Sequence, residues 1–303
     1  MVGSPDLHGP KRVTPSRGNH MGNVKAKDLS SLVNASGFAF QLTVEHLVRS
    51  SHGHHWRVVS REHPWRDPAT GAEGFIDLVL QSGAVTWVIE CKRTRGASWV
   101  FLVESDKPEQ VDRCRCLWVV GHKSGRCLAG WDDIHQKPDS TESSFCVIRG
   151  SGEAAPPLLE RIASRLLLAT DCLAEQEVRL LTTRSEGSWG VYAPVIVTTA
   201  ALHVSRIDPR VVSIHDGTVS ALESTRVPLV RFRKAFLTRE PPRSTATTLG
   251  QAAVERERTV LVVSAEALTD VLKSAKILRD EWSDQWPWSA AVDELSDVLP
   301  PEA

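Results

Sequence analysis

The sequence lacks several features that would point directly to a function. Its formal net charge over 303 residues is -1, so any nucleic-acid contact must come from local basic clusters and not from a basic field of the whole protein. No apolar run reaches the roughly 18 residues that a membrane span requires. No glycine-rich phosphate loop of the Walker type is present, which argues against an intrinsic ATPase motor. What remains is an ordinary globular composition, with 41% hydrophobic and 24% charged residues.

The six cysteines follow a polar N-terminus without a secretory signal, and this combination predicts reduced thiols in a cytoplasmic protein. Cys114, Cys116, His122 and Cys127 lie within fourteen residues of one another. Structural zinc sites favour pairs separated by two to four residues, and the Cys-x-Cys spacing departs from that pattern. We therefore predict buried or half-buried thiols here and no structural zinc.

Hydrophobic periodicity along the chain predicts a mixed α/β protein with a central sheet and helices packed on it. Residues 1–27 are rich in Gly, Pro, Ser and basic residues, which is typical of a disordered tail. Helices are predicted at 36–49, at 157–181 and near the C-terminal end, after a strand that begins at Thr259. Further strands are predicted at 54–60, 74–81, 84–92, 98–104, 116–121, 145–149, 190–207 and 227–232, with loop-rich stretches at 122–156 and 241–252.

Three charged residues, Asp77, Glu90 and Lys92, interrupt the apolar pattern of the two strongest strands. Charges within such strands cost free energy unless they are paired or bound to a metal. A two-residue turn at Ser82-Gly83 would place Asp77 opposite Val88 and on the same face as Glu90 and Lys92. The two carboxylates would then be diagonal neighbours, about 7–8 Å apart at the backbone. A three-residue turn would separate them onto opposite faces.

Two carboxylates and a lysine in this arrangement suit metal-assisted hydrolysis of a phosphodiester. Mg²⁺ (or Mn²⁺) takes oxygen ligands, lowers the pKa of a bound water and stabilises an anionic transition state. Lys92 beside the metal would orient that water and stabilise the developing charge.

An Asp on one strand followed by Glu-x-Lys on the next resembles the PD-(D/E)XK, or restriction-endonuclease-like, nuclease superfamily. The resemblance implies that Asp77 and Glu90 bind the metal, that Lys92 assists the nucleophile and that the backbone carbonyl of Cys91 is a further ligand. It also implies a role for a Glu on the preceding helix, and Glu45 is at that position. Ile76 replaces the proline of the motif name.

The resemblance implies an α-β-β-β-α-β core of mixed sheet flanked by helices. It covers residues 36–92 directly, and 157–181 with 190–200 suit the later core elements. The predicted domain limits are therefore a core at 28–205 with an insertion at about 93–153, and a C-terminal α/β extension at 206–303 packed on that core.

Glu45 falls on one predicted helical stripe with Phe38 and Leu42, a stripe that we expect to face the sheet. Its carboxylate would then lie within about 8 Å of Asp77 and Glu90, with a metal to offset the charge. In the alternative, Glu45 points outward and pairs with Arg49 four residues later.

Four arginines are candidate nucleic-acid contacts. Arg93 and Arg95 are next to the predicted site, and Arg231 and Arg233 share one face of a later strand. A solvated sheet edge is the alternative for the second pair. The expected substrate is DNA, and a homodimer or a larger defence or repair complex remains open. Two other functions remain: a catalytically inactive nucleic-acid-binding or scaffold protein with the same fold, and an unrelated α/β protein whose acids are structural.

Overall fold

The computed structural model describes residues 26–94, 96–121, 127–148, 158–182, 189–219, 222–237 and 246–277. It divides the chain into two compact units, residues 1–36 and 37–303. Among the described residues the helices are α1 (Ala26–Ser36), α2 (Phe38–Ser50), α3 (Leu158–Thr182), α4 (Leu249–Glu255) and α5 (Leu268–Ser274). The strands are β1 (Arg57–Arg66), β2 (Glu73–Ser82), β3 (Val85–Lys92), β4 (Ser98–Glu104), β5 (Val111–Gly121), β6 (Cys127–Ser143), β7 (Phe145–Ile148), β8 (Trp189–Thr198), β9 (Ala201–Ile207), β10 (Ser224–Arg226), β11 (Leu229–Ala235), β12 (Glu257–Ser264) and β13 (Lys276–Ile277). The predicted mixed α/β class is confirmed.

The main sheet begins as an antiparallel meander of β1, β2 and β3, and β8 then joins β3 in parallel. The far edge of β8 is shared between two partners. Its first half pairs with β5, and its second half pairs in parallel with β12. Because β12 also pairs with β11, β11 with β6 and β6 with β5, these five strands form a closed ring. Closure removes exposed strand edges from this part of the sheet.

A second sheet has the strand order β10-β9-β4-β7. Strands β8 and β9 are consecutive in the chain, and a bend at Thr199 and Ala200 passes the chain from one sheet to the other. The predicted strand at 190–207 is therefore two strands in two sheets. The apolar run continues through the bend because Ala200 is itself buried, which explains why the sequence shows no boundary there.

Two hydrophobic cores hold the layers together. Helix α3 buries Leu159, Leu166 and Leu173 in the first, which also contains Trp99 and Phe101 of β4. Helices α2 and α5 cover the other face of the main sheet, where the second core contains the side chains Val44, Val48, Trp87, Leu268 and Leu272. Each such side chain contributes roughly 1.5–3 kcal/mol when it is fully removed from water. The sheet is thus covered on both faces beside the Asp77 segment.

The sequence-based predictions of β4, α3 and the 74–92 hairpin are confirmed within one or two residues at each end. The loop predicted at 122–156 is wrong in part, because it contains the 17-residue strand β6. The loop predicted at 241–252 contains the start of α4, which Thr248 begins with a capping box. Strands β11 and β12, which fall within the predicted C-terminal extension at 206–303, belong to the main sheet itself. Within the described residues, no helix has the length and apolar character needed to cross a membrane.

Candidate active site

The hairpin that carries the acidic residues turns at Gly83-Ala84, one residue later than predicted. Ser82 pairs with Val85 and Val79 pairs with Val88. Gly83 has φ +58, a left-handed conformation that glycine adopts without steric cost. Asp77 is therefore not opposite Val88. The shift is two positions, so the alternation of faces along β3 is unchanged, and Glu90 remains on the face of Val88.

The ladder between β2 and β3 ends at the pair formed by Leu78 and Ile89. Beyond that pair, the Asp77 side chain bridges the two strands, since its Oδ2 accepts a hydrogen bond from the backbone N–H of Cys91 at 2.6 Å. This bond fixes one carboxylate oxygen of Asp77 beside the segment that carries Glu90. The structure therefore brings Asp77 beside the segment that carries Glu90, through a register that differs from the predicted one.

Both acids are half-buried and lie in a field of like charge. Burial raises the pKa of Asp77, while the hydrogen bond from Cys91 opposes the shift. Burial raises the pKa of Glu90 to about 7, and repulsion from Asp77 adds to the increase. Lys92 and Arg165 lower both pKa values without cancelling the increase. Burial and mutual repulsion therefore disfavour the ionised form of both acids more than Lys92 and Arg165 favour it.

A third acid, Glu62 of β1, was not anticipated from the sequence. The Nε2 group of Gln41 donates to Glu62 Oε1 at 2.5 Å and to the backbone carbonyl of Asp77 at 2.9 Å. The Glu62 charge raises the pKa of both Asp77 and Glu90. The backbone of Glu62 has φ +48, which is rare for a residue other than glycine. The sequence gives no signal for Glu62, because the segment around Pro64 and Pro68 is typical of a loop.

Glu45 is buried, as predicted, but its helix is rotated relative to the predicted stripe. The helical stripe chosen from the sequence is wrong, since Phe38 is 59% and Leu42 is 55% exposed. The buried residues of α2 are Gln41, Val44, Glu45 and Val48. The two hydrogen bonds of Gln41 to β1 and β2 favour this rotation of the helix, because they place a polar residue on the inward face.

The Glu45 carboxylate is held by two arginines on its own side of the sheet. It lies 2.9 Å from Arg49 and 3.6 Å from Arg61. The further acid whose charge acts on both Asp77 and Glu90 is Glu62. The structure thus combines parts of both expectations for Glu45: the residue is buried, and it pairs with Arg49.

The four arginines predicted to contact nucleic acid have different environments. Arg231 is only 1% exposed and donates to Ser140 Oγ and to the backbone carbonyls of Gln136 and Pro138. Arg233 is paired with Asp133 and Glu257, as described below. The predictions of nucleic-acid contact by Arg231 and Arg233 are wrong because β11 turns these two side chains inward. A basic run in the sequence does not reveal which way a strand turns its charged face. Arg93 is half-buried directly after β3, and Arg95 lies outside the described residues.

Arg233 lies 2.7 Å from Asp133 and 2.8 Å from Glu257, with its side chain 16% exposed. Its guanidinium donors are directed at these carboxylates of β6 and β12. A guanidinium engaged in this way has little left to offer a phosphate. Arg233 therefore links two strands of the ring.

Two members of the cysteine cluster are internal to the protein. Cys114 and Cys116 are fully buried, with their Sγ atoms 3.4 Å apart. His122 and the side chain of Cys127 lie outside the described residues. Across the described parts of the chain, no group of three or more His, Cys, Asp and Glu residues is arranged to hold a metal. The prediction that the protein has no structural zinc stays a prediction.

The donor set at the candidate site nevertheless suits a hard cation. Mg²⁺ is usually held by one or two carboxylates together with waters and substrate phosphates, and not by a complete cage of protein ligands. Asp77 and Glu90 supply two carboxylates, and Glu90 accepts no hydrogen bond from any described residue. A divalent cation beside Glu90 would favour its ionised form, against the burial and the Asp77 repulsion that raise its pKa. The residues present therefore fit Mg²⁺ or Mn²⁺.

Comparison of the chain with protein-family models, with curated proteins and with solved structures gives no match. The interpretation of the site therefore depends on its own geometry and charges. Those observations bring two half-buried acids with raised pKa values and Lys92 together at the end of the β2–β3 ladder.

Proposed function

We propose that this protein is a metal-dependent nuclease that hydrolyses phosphodiester bonds, with DNA as the favoured substrate. The observation that carries the proposal is the convergence of Asp77 and Glu90, two half-buried acids that repel each other, at the point where β2 and β3 separate. Lys92, two residues after Glu90 on the same strand, supplies a cation. Ordinary structural acids would be expected to have paired partners at such a position.

The order of elements around the site also supports the proposal. Helix α2 precedes the β1-β2-β3 meander, and α3 precedes β8, which pairs in parallel with β3. With β4 to β7 taken as the predicted insertion, this order agrees with the α-β-β-β-α-β core implied by the resemblance to PD-(D/E)XK nucleases. In this proposal, the ring strands β5, β6, β11 and β12 are elaborations on the nuclease core.

Each proposed catalytic residue has a role that follows from its position. When bound, the divalent cation would supply Lewis-acid stabilisation of the phosphate and a water of lowered pKa. Asp77 and Glu90 would hold that cation, and the Cys91 amide keeps the Asp77 carboxylate oriented while no substrate is bound. The Lys92 ammonium would donate to the attacking water or to the phosphate oxygens and stabilise charge as it develops. Glu62 and Gln41 would position Asp77 through its backbone carbonyl.

A cleavage assay tests the proposal directly. Purified protein is incubated with supercoiled plasmid, linear duplex DNA, single-stranded DNA and RNA, in Mg²⁺ or Mn²⁺ and with or without EDTA. We expect cleavage that EDTA abolishes and that Asp77→Asn, Glu90→Gln and Lys92→Met each remove. Glu104→Gln is the matched control, since it deletes an exposed carboxylate at the end of β4. Absence of cleavage on all four substrates, together with retained oligonucleotide binding, would favour the inactive binding or scaffold protein instead.

A further inference from the structure

Helix α3 brings an arginine to the candidate site across a glycine of β2. A Cβ atom built on Gly74 would overlap Nη2 of Arg165 and would lie 3.3 Å from its Cζ. The same Cβ would lie 3.3 Å from Cζ2 of Trp65, which pairs with Gly74 from β1. Gly74 lies three residues before Asp77 in the sequence. Because it has no side chain, it leaves the space that the Arg165 guanidinium occupies.

The Arg165 guanidinium is near the acids but is not bound to them. Its charge acts on both Asp77 and Glu90. Among the described residues, however, no hydrogen bond or ion pair holds it, and its side chain is exposed. An arginine that only neutralised the acids would be expected to form a direct pair with one of them, as Arg233 does with Asp133. The guanidinium donors of Arg165 therefore remain available to an outside ligand.

The charges around the site indicate what that ligand would be. Three carboxylates, from Glu62, Asp77 and Glu90, face the two cations Lys92 and Arg165. With a divalent cation bound, the site would carry one net positive charge, which matches one phosphodiester. Guanidinium groups bind phosphate oxygens through two parallel N–H donors, which gives both affinity and orientation.

We propose that Arg165 binds the non-bridging oxygens of the scissile phosphodiester, from the α3 side of the site, and that Gly74 is required because it makes room for the guanidinium. The substrate class is a nucleic-acid strand whose phosphate reaches between Arg165 and the Asp77–Glu90 pair. This inference rests on the proposed nuclease function. It makes Arg165 a substrate-binding residue that is distant in sequence from the motif.

Two different substitutions remove the same interaction. Arg165→Ala deletes the guanidinium, whereas Gly74→Ala keeps it and displaces it through the added methyl group. The displaced atom is the far end of a flexible, exposed side chain, so we expect little change in stability from Gly74→Ala. Arg161→Ala is the matched control, because Arg161 is exposed on the same helix, one turn earlier, and its substitution removes the same charge.

The experiment measures KM and kcat on the oligonucleotide cleaved by the wild-type protein, with oligonucleotide affinity measured by anisotropy in the Glu90→Gln background. We expect Arg165→Ala and Gly74→Ala each to raise KM and weaken binding about 10- to 100-fold, the range of hydrogen bonds to charged groups. Arg165→Lys should recover part of the loss. The double variant should lose no more than Arg165→Ala alone, because both changes remove one contact.

The outcomes separate this inference from the proposed function. A wild-type protein that cleaves no substrate would overturn the nuclease proposal and the inference together. An active wild-type protein whose Arg165→Ala and Gly74→Ala variants match it in KM and affinity would overturn the role of Arg165 alone. That role would also be overturned if Arg161→Ala weakened binding as much as Arg165→Ala, because the effect would then be one of general charge. Thermal unfolding of each variant identifies any loss that comes from misfolding.

Discussion

The two charged clusters of this protein use similar residue types in opposite ways. Inside the ring, Arg233 has carboxylate partners at 2.7 Å and 2.8 Å, and Arg231 has three oxygen acceptors. At the end of β2 and β3, Glu90 has no hydrogen bond from a described residue, and burial raises its pKa to about 7. Charges engaged by several hydrogen bonds join strands, whereas an acid without a hydrogen-bond donor stays available to bind a cation. Pairing, more than residue type or burial, therefore distinguishes structural charge from candidate catalytic charge.

Removal of a site carboxylate should have the largest effect of all on activity and a small one on folding. We expect Asp77→Asn to reduce cleavage about 1000-fold, which is the order of effect of losing an electrostatic stabiliser of the transition state. The free energy of unfolding should stay the same or rise, because a repelling charge is removed. Single-turnover cleavage and urea unfolding of the same preparations measure the two effects. A loss of activity that only parallels a loss of stability would contradict this separation.

In the ring cluster, a comparable substitution should act on stability instead. Arg231→Met leaves two backbone carbonyls and the Ser140 hydroxyl buried without their donor. Each unsatisfied buried group costs about 1–3 kcal/mol, so we expect a loss of about 3 kcal/mol or more. The urea midpoint measures this loss. A change below about 1 kcal/mol would show that the neighbouring groups find other partners.

Arg233→Met provides a milder break in the same cluster. Its partners Asp133 and Glu257 have side chains that are 31% exposed, so water can solvate them when the arginine is removed. We therefore expect a loss of about 1–2 kcal/mol, smaller than for Arg231. Reversal of the order of Arg231→Met and Arg233→Met in urea unfolding would contradict the assignment of Arg231 as the more deeply buried donor.

The raised pKa of Glu90 predicts a dependence of stability on pH in EDTA. Its folded-state pKa of about 7 lies above the ordinary 4.5, so the ionised form destabilises the folded state. Stability from this residue is then fully present below pH 4.5 and is lost as pH rises toward 7. Glu90→Gln has no carboxylate to ionise, so its stability does not fall over this pH range. After allowance for solvent screening, we expect it to be about 1 kcal/mol more stable than wild type at about pH 8. At about pH 4 the two proteins should be equally stable. Equal unfolding midpoints of the two proteins under the alkaline condition would contradict the shift.

The smallest expected effects distinguish Glu62 from Glu45. Glu62 acts electrostatically on both site acids, whereas Glu45 pairs with Arg49 and Arg61. We expect Glu62→Gln to change cleavage about fivefold, which corresponds to roughly 1 kcal/mol of charge interaction near a surface. Glu45→Gln should change cleavage less than about twofold and stability by a few tenths of a kcal/mol. If Glu45→Gln raised the metal concentration required for cleavage more than Glu62→Gln does, Glu45 would belong to the metal site after all.

The local sequence pattern was sufficient to predict an element whose hydrophobic residues follow one clear period. The 74–92 hairpin and α3 could be predicted because alternation and helical spacing persist over their length. Strand β6 could not, since Lys137, Pro138 and several acidic residues interrupt its pattern. The orientation of α2 could not be predicted from the sequence either, because the hydrogen bonds of Gln41 go to two residues more than twenty positions away.

The sequence by itself determined that Asp77, Glu90 and Lys92 interrupt two adjoining apolar strands, because a period of two and a short turn are local properties of the chain. Only the tertiary structure decided which other charges meet them. Glu62 and Arg165 reach the site from β1 and α3, and Arg231 is turned into the ring, through contacts between segments distant in sequence. Periodicity assigns each residue to a face of its own element. It does not state which element that face will meet, and that meeting decides whether a charge is paired or left free.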